Sequence, residues 1–177
     1  MQADGGILAV AFIDLARFKA VNDGAGHGYG DHVLKAVATA ISWQLRVGDV
    51  LTRQGGDEFI LVLASATSDR AAYERIDALR RRLADGVSVG GQNIYATASF
   101  GVAFYPNDGT SADELLRHAD LASYRAKDEG RNRVSLFNSD LEREASTAFY
   151  RDAGLRRALA ARVSAPNGHF DRSDHRV

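Results

Sequence analysis

The sequence predicts a mixed fold of the α/β or α+β class, in which helices pack against a central sheet. Segments that predict strands alternate with segments that predict helices along the first 138 residues, and the middle of this region predicts a β-hairpin. A length of 177 residues with 45% hydrophobic and 25% charged residues suits one soluble domain with an appendage.

The first part of the chain predicts a strand, a loop and a helix. Residues 7–13 (ILAVAFI) are uniformly apolar, which predicts a strand buried on both faces that ends at Asp14. Glycines punctuate the polar stretch 22–31, where we expect a loop. Apolar residues at helical spacing then predict a helix that runs to about Arg46.

The stretch RQGGDEF at 53–59 lies between two apolar runs and predicts a β-hairpin. Gly55 and Gly56 fit a tight two-residue turn, because glycine adopts the positive φ that such a turn needs. A polar hairpin tip alone does not explain Asp57 and Glu58, two adjacent carboxylates at the start of a strand otherwise suited to burial.

The second part continues the alternation. Residues 69–84 carry an apolar face beside many arginines, and 94–105 predict another strand. Ser111 and Glu114 match a capping box that opens a third helix, and 133–137 predict a last short strand.

Several conspicuous residues are assigned packing or solvent roles. We expect Trp43 and Tyr124 in the core rather than at a ligand. In the stretch SFG at 99–101, the glycine indicates a close approach of the backbone. The arginines at 80–82 are expected on a solvated helix face.

Composition and charge exclude several classes of protein. A net charge of −1 gives no electrostatic basis for nucleic-acid binding, and the absence of cysteine excludes disulfides and thiolate metal sites. The longest apolar stretch is too short to span a bilayer, and the N-terminus lacks the basic region of a signal peptide. We therefore expect a cytoplasmic domain without a membrane segment, even if the parent protein is tethered to a membrane.

Two carboxylates are expected at one edge of the sheet, because Asp14 ends the first strand and Asp57 begins the strand after the hairpin. Hard oxygen ligands without cysteine suit Mg²⁺ or Mn²⁺. Near them we expect Lys19, the glycine-rich stretch, and the distant Lys127 with Arg131. Carboxylates for metal and cations for phosphate together indicate a nucleoside-triphosphate site, although the chain has no P-loop motif.

Seven stretches match one known family in the family's order, over about residues 7–138. They are DLARFK (14–19), VND (21–23), GHGYGD (26–31), RQGGDEF (53–59), SFGV (99–102), ADLASYRAK (119–127) and GRN (130–132). On these motifs the chain resembles the GGDEF domain of diguanylate cyclases, which join two GTP molecules into cyclic di-GMP. The resemblance implies a mostly antiparallel sheet flanked by helices, a nucleotidyl-cyclase or ferredoxin-like palm from which the hairpin protrudes.

The resemblance implies catalytic and metal-binding roles at matching positions. Asp14 and Asp57 would bind Mg²⁺ or Mn²⁺ through their carboxylates, and Leu15 through its main-chain carbonyl. Asp57, with Glu58 beside it, would help to deprotonate the attacking ribose 3′-hydroxyl. Lys19 would stabilise the transition state as that oxygen attacks an α-phosphate and expels pyrophosphate.

Substrate contacts follow from the same resemblance. Asn22 and Asp31 would hydrogen-bond the guanine, with His27 shaping the pocket. Lys127 and Arg131 would neutralise the phosphates. The reaction would need a homodimer in which each subunit supplies one GTP.

Simpler roles stay open for four of these residues. Asp31 is also a candidate helix N-cap, and His27 a structural hydrogen-bonding residue. Lys127 and Arg131 also suit a helix C-terminus, where cations complement the helix dipole.

The stretch RVGD at 46–49 is an R-x-x-D motif a few residues before the hairpin. In the family this motif is the product-inhibition site that binds cyclic di-GMP, so Arg46 and Asp49 are the candidate inhibitory residues. Arg75, on the second predicted helix, is a candidate to complete the site.

Two departures from the family pattern favour a second hypothesis. Ala16 replaces the second acid of the usual D-x-D, from which we expect weaker support of the metal rather than its loss. The family's upstream helix and its D-x-L-T-G-L-x-N-R stretch do not occur, so we expect a fragment of a longer protein. The alternative to an enzyme is a catalytically weak module that binds GTP or cyclic di-GMP and regulates an attached domain.

The pattern changes after the GGDEF domain expected over 1–138. Residues 139–163 predict a connector helix with a heptad-like apolar seam, and 164–177 a linker or disordered tail. The connector resembles the helix that leads from GGDEF domains into EAL phosphodiesterase domains, so we expect an EAL domain downstream in the parent protein. The simpler possibility is that this helix packs on its own domain.

Overall fold

The computed structural model describes residues 7–143, apart from the side chain of Ser65. Within this range the elements are β1 (Ile7–Leu15), α1 (Phe18–Ala25), α2 (His27–Ser42), β2 (Val50–Gly55), β3 (Glu58–Ala66), α3 (Asp69–Ala84), β4 (Val87–Val89), β5 (Gln92–Ile94), β6 (Ala98–Tyr105), α4 (Ala112–Asp128) and β7 (Val134–Leu136). None of these helices has the length and apolar character needed to cross a bilayer. The expected connector helix and tail lie almost entirely outside the described residues.

Five strands form one sheet in the order β2-β3-β1-β6-β7. The pairs β2–β3, β3–β1 and β1–β6 are antiparallel, and β6–β7 is parallel. With one helix pair after β1 and one helix after β3, this is the ferredoxin-like arrangement that the resemblance implies. The single strand predicted over 94–105 is instead two strands, because β5 pairs with β4 in a separate ribbon.

Alternate residues of the central strands face two different apolar layers, because successive side chains of a strand point to opposite sides. On one face, Ile13 is fully buried in a cluster with apolar residues of α2 and α3. On the other face, Val10 packs with Ile60 of β3 and Leu115 of α4. Helix α4 covers the β6 side of this second face, and an apolar cleft of about 480 Å³ remains over β1 and β3.

The expectation of a loop over 22–31 is wrong, because α1 and α2 include all of this stretch except Gly26. Gly26 has a φ of 85° and separates the two helices. Gly30 lies inside α2 and faces α1, where a Cβ would lie 1.9 Å from Oδ1 of Asn22. This glycine therefore allows two helices to pack closely, and Asp31 is a residue within α2 rather than its N-cap.

The hairpin turn lies one residue later than the sequence predicts. A bulge between Arg53 and Gly55 shifts the register of β2, so that Gly55 pairs with Glu58. The turn therefore consists of Gly56 and Asp57, and Gly56 has a φ of 52°. Two nitrogens of Arg53 donate to the carbonyl oxygen of Gly56, at 3.0 and 2.8 Å, and hold the turn in place.

Three assignments of side chains to core or solvent also need correction. Trp43 and Tyr124 are 83% and 65% exposed, so neither belongs to the core. Trp43 follows the last residue of α2, which ends at Ser42 and not near Arg46, and so it lies beyond the buried stripe of that helix. Arg80 is half-buried, unlike the solvated residue that we expected.

The predictions for α3 and for the start of α4 are confirmed. Helix α3 spans the predicted range 69–84. Ser111 and Glu114 form the predicted capping box, in which each side chain accepts a hydrogen bond from the other residue's backbone amide.

Gly101 allows α4 to lie directly on the sheet. A Cβ at this position would lie 2.0 Å from the carbonyl oxygen of Ala119 and 2.0 Å from the amide nitrogen of Ser123. Both are backbone atoms of α4, so they cannot move aside without displacing the helix. The close approach predicted at this glycine is therefore confirmed.

We expect Gly101→Ala to lower the free energy of unfolding by about 3 kcal/mol, because the added methyl forces α4 away from β6. Urea denaturation measures the difference. Gly28→Ala is the control, since a Cβ at Gly28 in α2 would meet no atom within 4 Å, and this change should stabilise the protein slightly. Equal stability of Gly101→Ala and the unmodified chain would contradict the close contact.

Candidate active site

Four of the predicted site residues meet where β1 ends. Strands β1 and β3 are neighbours, and Asp14 pairs directly with Glu58, so both side chains lie on the α4 face of the sheet. The carbonyl oxygen of Asp57 accepts a hydrogen bond from the amide of Leu15 at 3.2 Å. The hairpin turn is therefore attached to the end of β1, which brings the backbone of Asp57 to the strand end that carries Asp14.

Lys127 reaches the same edge from α4. Its Nζ lies 2.7 Å from Oδ2 of Asp14, and the two side chains are only 28% and 17% exposed. A partly buried ion pair is screened less by salt than one on the surface. Lys127 therefore does more than complement the dipole of α4, because it places a positive charge among the carboxylates.

Negative charge is concentrated at this edge. Burial, together with the nearby negative charges of Asp14, Asp120 and Asp57, raises the pKa of Glu58, and Lys127 partly opposes the rise. Burial likewise raises the pKa of Asp120, with Lys127 opposing and Asp14 adding to it. Asp120 precedes Lys127 by two helical turns on the same face of α4. It has no role among those predicted from the sequence, although it lies within the ADLASYRAK stretch.

The predicted metal ligands at this edge are of the oxygen type that suits a divalent cation, since Asp14 and Asp57 carry carboxylates and Leu15 a main-chain carbonyl. A cation would also offset the negative charges of Asp14, Asp120 and Asp57 that, after burial, raise the pKa of Glu58. Within residues 7–143, no three His, Cys, Asp or Glu side chains converge closely enough to hold a metal by themselves. A cation here would therefore need further oxygens, such as those of a nucleotide's phosphates.

The candidate guanine-binding residues lie on α1 and α2. Oδ1 of Asn22 is buried beside Gly30 and has no hydrogen-bond partner among the described residues. A buried acceptor without a donor is costly, and a ligand N–H group would supply the missing hydrogen bond if the Asn22 side chain turned outward to meet it. Asp31 lines a cleft of about 250 Å³ between α2 and the hairpin, with Phe59 on the opposite wall.

Three of the predicted site residues make no described contact with the carboxylates at the end of β1. Lys19 and His27 are exposed on α1 and α2, and Arg131 is exposed just after α4. Within the part of the chain that the structure describes, none of their side chains forms a hydrogen bond or an ion pair. The sequence motif is therefore the basis for their roles.

The R-x-x-D motif forms a second polar site, at the base of the hairpin. Asp49 accepts hydrogen bonds from the amides of Arg46 and Ala64, at 2.8 and 3.2 Å, and from the Arg75 guanidinium at 2.5 Å. Burial alone would raise the pKa of Asp49, but the Arg75 hydrogen bond and the two amides lower it overall. Arg46 and Arg75 line a cleft of about 400 Å³. Arg75, the candidate to complete this site, therefore contacts Asp49 directly.

The lowered pKa of Asp49 predicts a pH-dependent contribution to stability. A depressed pKa in the folded state means that the contribution is complete above the unfolded pKa of about 3.9, and is lost as pH falls through the folded value. Asp49→Asn should therefore destabilise the protein at pH 7, and the difference should shrink below about pH 4. Urea denaturation across this range measures it.

Asp23→Asn is the matched control, because Asp23 is exposed on α1 and no described residue hydrogen-bonds its side chain. It should change stability little at any pH. A difference between Asp49→Asn and the unmodified protein that stays constant down to pH 2 would contradict the interpretation.

Comparison with known proteins relates this architecture to a family. The family model described as "Diguanylate cyclase, GGDEF domain" matches residues 2–133. The cyclic di-GMP phosphodiesterase NbdA of Pseudomonas aeruginosa is 41% identical over 152 residues, which are 86% of this chain and 19% of that protein. The bifunctional diguanylate cyclase/cyclic di-GMP phosphodiesterase MucR of the same organism is 38% identical over 169 residues, 90% of this chain and 24% of that protein. The chain thus spans less than a quarter of the length of these two relatives.

A solved structure agrees with the sequence relatives. The GGDEF domain of YfiN from Pseudomonas aeruginosa is 35% identical, with a TM-score of 0.75 over 80% of this chain and 83% of that one. The family model covers well over half of the chain, and the fold and the motif positions agree with it. This chain belongs to the GGDEF domain family of diguanylate cyclases.

Proposed function

We propose that this chain condenses two molecules of GTP into cyclic di-GMP and pyrophosphate. The observation that carries the proposal is the cluster of Asp14, Glu58 and Lys127 beside the hairpin turn. It combines oxygen ligands, a candidate base and a phosphate-binding cation at one edge of the sheet. The family description and the cyclase activity in the name of MucR support the same reaction.

Asp57 and Glu58 are the groups proposed to accept the proton of the attacking 3′-hydroxyl. A carboxylate with a raised pKa is a better proton acceptor, and the pKa of Glu58 is raised by burial and by its acidic neighbours. Mg²⁺ or Mn²⁺, when bound by Asp14, Leu15 and Asp57, would lower the pKa of that hydroxyl and neutralise charge on the α-phosphate.

Three cations are proposed for the phosphates. Lys127 already lies at the carboxylates, and a bound triphosphate offers its ammonium group a second anionic partner besides Asp14. Lys19 and Arg131 are exposed, so a bound nucleotide can reach both side chains. Because each chain has one such edge, two chains must face each other for each 3′-oxygen to reach the other GTP, which makes a homodimer the active form.

The R-x-x-D cleft is proposed to bind the product. Guanidinium groups bind both phosphates and the acceptor edge of guanine, and Arg46 and Arg75 line one cleft. Asp49 holds Arg75 in a fixed orientation while leaving its Nη1 buried and without a partner among the described residues. Cyclic di-GMP bound here would inhibit the enzyme.

A second candidate function is a regulatory module that binds GTP or cyclic di-GMP without turnover. The Lys127–Asp14 ion pair favours it, because an ammonium group 2.7 Å from a proposed metal ligand competes with the metal. Ala16 removes an acid that would support that ligand. The names of NbdA and MucR include phosphodiesterase activity, so the regulated partner would be an EAL domain in the parent chain.

Turnover separates the two candidates. The chain, incubated with GTP and Mg²⁺, should produce cyclic di-GMP and pyrophosphate, detected by chromatography. Asp57→Asn should lower the rate by about 100-fold, because it removes charge that stabilises the transition state but keeps the size of the side chain. Asp128→Asn is the control, since Asp128 is exposed on α4 beside Lys127.

Each outcome is informative. Binding of GTP with no product would select the regulatory module. Production of cyclic di-GMP by Asp57→Asn at more than about a tenth of the unmodified rate would remove Asp57 from the catalytic set.

Asn22→Ala should raise the KM for GTP by about tenfold or more and relax the preference for GTP over ATP, because a buried polar group rejects bases that leave it unpaired. Gly30→Ala should act in the same direction, since its methyl would displace the Asn22 side chain. Steady-state rates with both nucleotides measure the effect, with Asp23→Ala as the control. Unchanged discrimination in both variants would refute the assignment.

A further inference from the structure

The turn between α4 and β7 is held in a rare backbone conformation. Gly130, Arg131 and Asn132 have φ values of 113°, 62° and 47°. A side chain disfavours positive φ, so two successive non-glycine residues in this region need support from their surroundings. Arg131 is the middle residue, and the direction of its side chain depends on this conformation.

Arg80 of α3 supplies that support from across the fold. Its Nη1 donates to the carbonyl oxygen and to Oδ1 of Asn132, both at 3.3 Å. Its Nε donates to Asp77 at 2.7 Å, and the side chain is only 18% exposed. The guanidinium is therefore oriented by α3 at one end and contacts the strained turn at the other.

We infer that Arg80 is a positioning residue for nucleotide binding, which acts by holding Arg131 in place. Arg80 itself does not touch the nucleotide. The inference rests on the proposed function, in which Arg131 binds phosphates. When the backbone of the turn is fixed, the Arg131 side chain starts from one defined direction, so less conformational freedom is lost when it binds a phosphate.

Arg81 provides a matched comparison. It is the next residue of α3, it contacts the same Asp77, at 3.4 Å, and its side chain is 62% exposed. No described hydrogen bond joins it to the turn. If Arg80 only stabilised α3 through its contact with Asp77, Arg81 would do the same. Only Arg80 also contacts the turn at Asn132, so an effect specific to Arg80 must come from the turn.

The test uses the 177-residue chain and α,β-methylene GTP, whose α-phosphate cannot be attacked with loss of pyrophosphate. Calorimetry gives the Kd of this analogue and of guanosine, which has no phosphate. Arg80→Ala should raise the Kd of the analogue by about tenfold and leave that of guanosine unchanged. Arg81→Ala should change neither, and Arg80→Lys, which can still donate one hydrogen bond, should lie in between.

A double variant separates positioning from general destabilisation. If Arg80 acts through Arg131, the combination of Arg80→Ala with Arg131→Ala should bind the analogue no more weakly than Arg131→Ala alone. Fully additive losses, or an equal loss for guanosine, would overturn the inference. If Arg80→Ala does not fold, Arg80→Lys is compared with Arg81→Ala instead. A higher Kd of the analogue in Arg80→Lys alone, with the Kd of guanosine unchanged, supports the inference, and equal Kd values in the two variants overturn it.

The remaining outcomes distinguish this inference from the proposed function. An unmodified chain that binds no analogue would overturn both. A loss in Arg131→Ala without a loss in Arg80→Ala would overturn the inference and leave the proposed function standing. No effect of Arg131→Ala would remove Arg131 from the phosphate site, and the role of Arg80 with it.

Discussion

The contact between the backbones of β6 and α4 at Gly101 is the constraint on which the candidate active site depends. It fixes the height of α4 above the sheet, and therefore how far Lys127 must reach to meet Asp14. Asp120 is carried by the same helix and comes close enough to Glu58 to affect its pKa. A side chain at position 101 would separate the cation from the carboxylates as well as loosen the core.

Much of this arrangement could be predicted from the sequence, because most of it depends on local patterns. The apolar period of α3, the capping box of α4 and the alternation of strands with helices are properties of neighbouring residues. The edge where Asp14 meets the hairpin followed from a single assumption, that β1 and β3 are adjacent. The family motifs then supplied roles for residues that geometry alone does not distinguish from solvent-exposed ones.

What could not be predicted depends on contacts between distant residues. Gly30 looks like a loop residue, but it lies in a helix, and glycine is needed there because Asn22 of α1 occupies the space that a Cβ would take. The turn at Gly56 moved by one position because of a bulge in β2. Arg80 resembles its exposed neighbours in the sequence, and only the position of Asn132, across the fold, distinguishes it.

The two candidate sites use opposite charges and share a supporting helix. The edge near Asp14 concentrates carboxylates, whereas the R-x-x-D cleft presents arginines. Helix α3 extends Arg75 to Asp49 and, further along, Arg80 to the turn at Asn132. The net charge of −1 for the whole chain therefore does not reveal that negative and positive side chains are concentrated at two different sites.

The central position of β1 has a consequence for the order in which a growing chain can assemble. Ile7 pairs with Ala66 and Leu8 with Tyr105, so β1 is synthesised well before the two strands that flank it in the sheet. Until those residues leave the ribosome, its apolar side chains have no sheet to join. The hairpin of β2 and β3 needs only near neighbours and can form earlier. Asp14 meets Lys127 only after α4 has been made, so the carboxylate–lysine cluster is completed later in synthesis than the hairpin of β2 and β3.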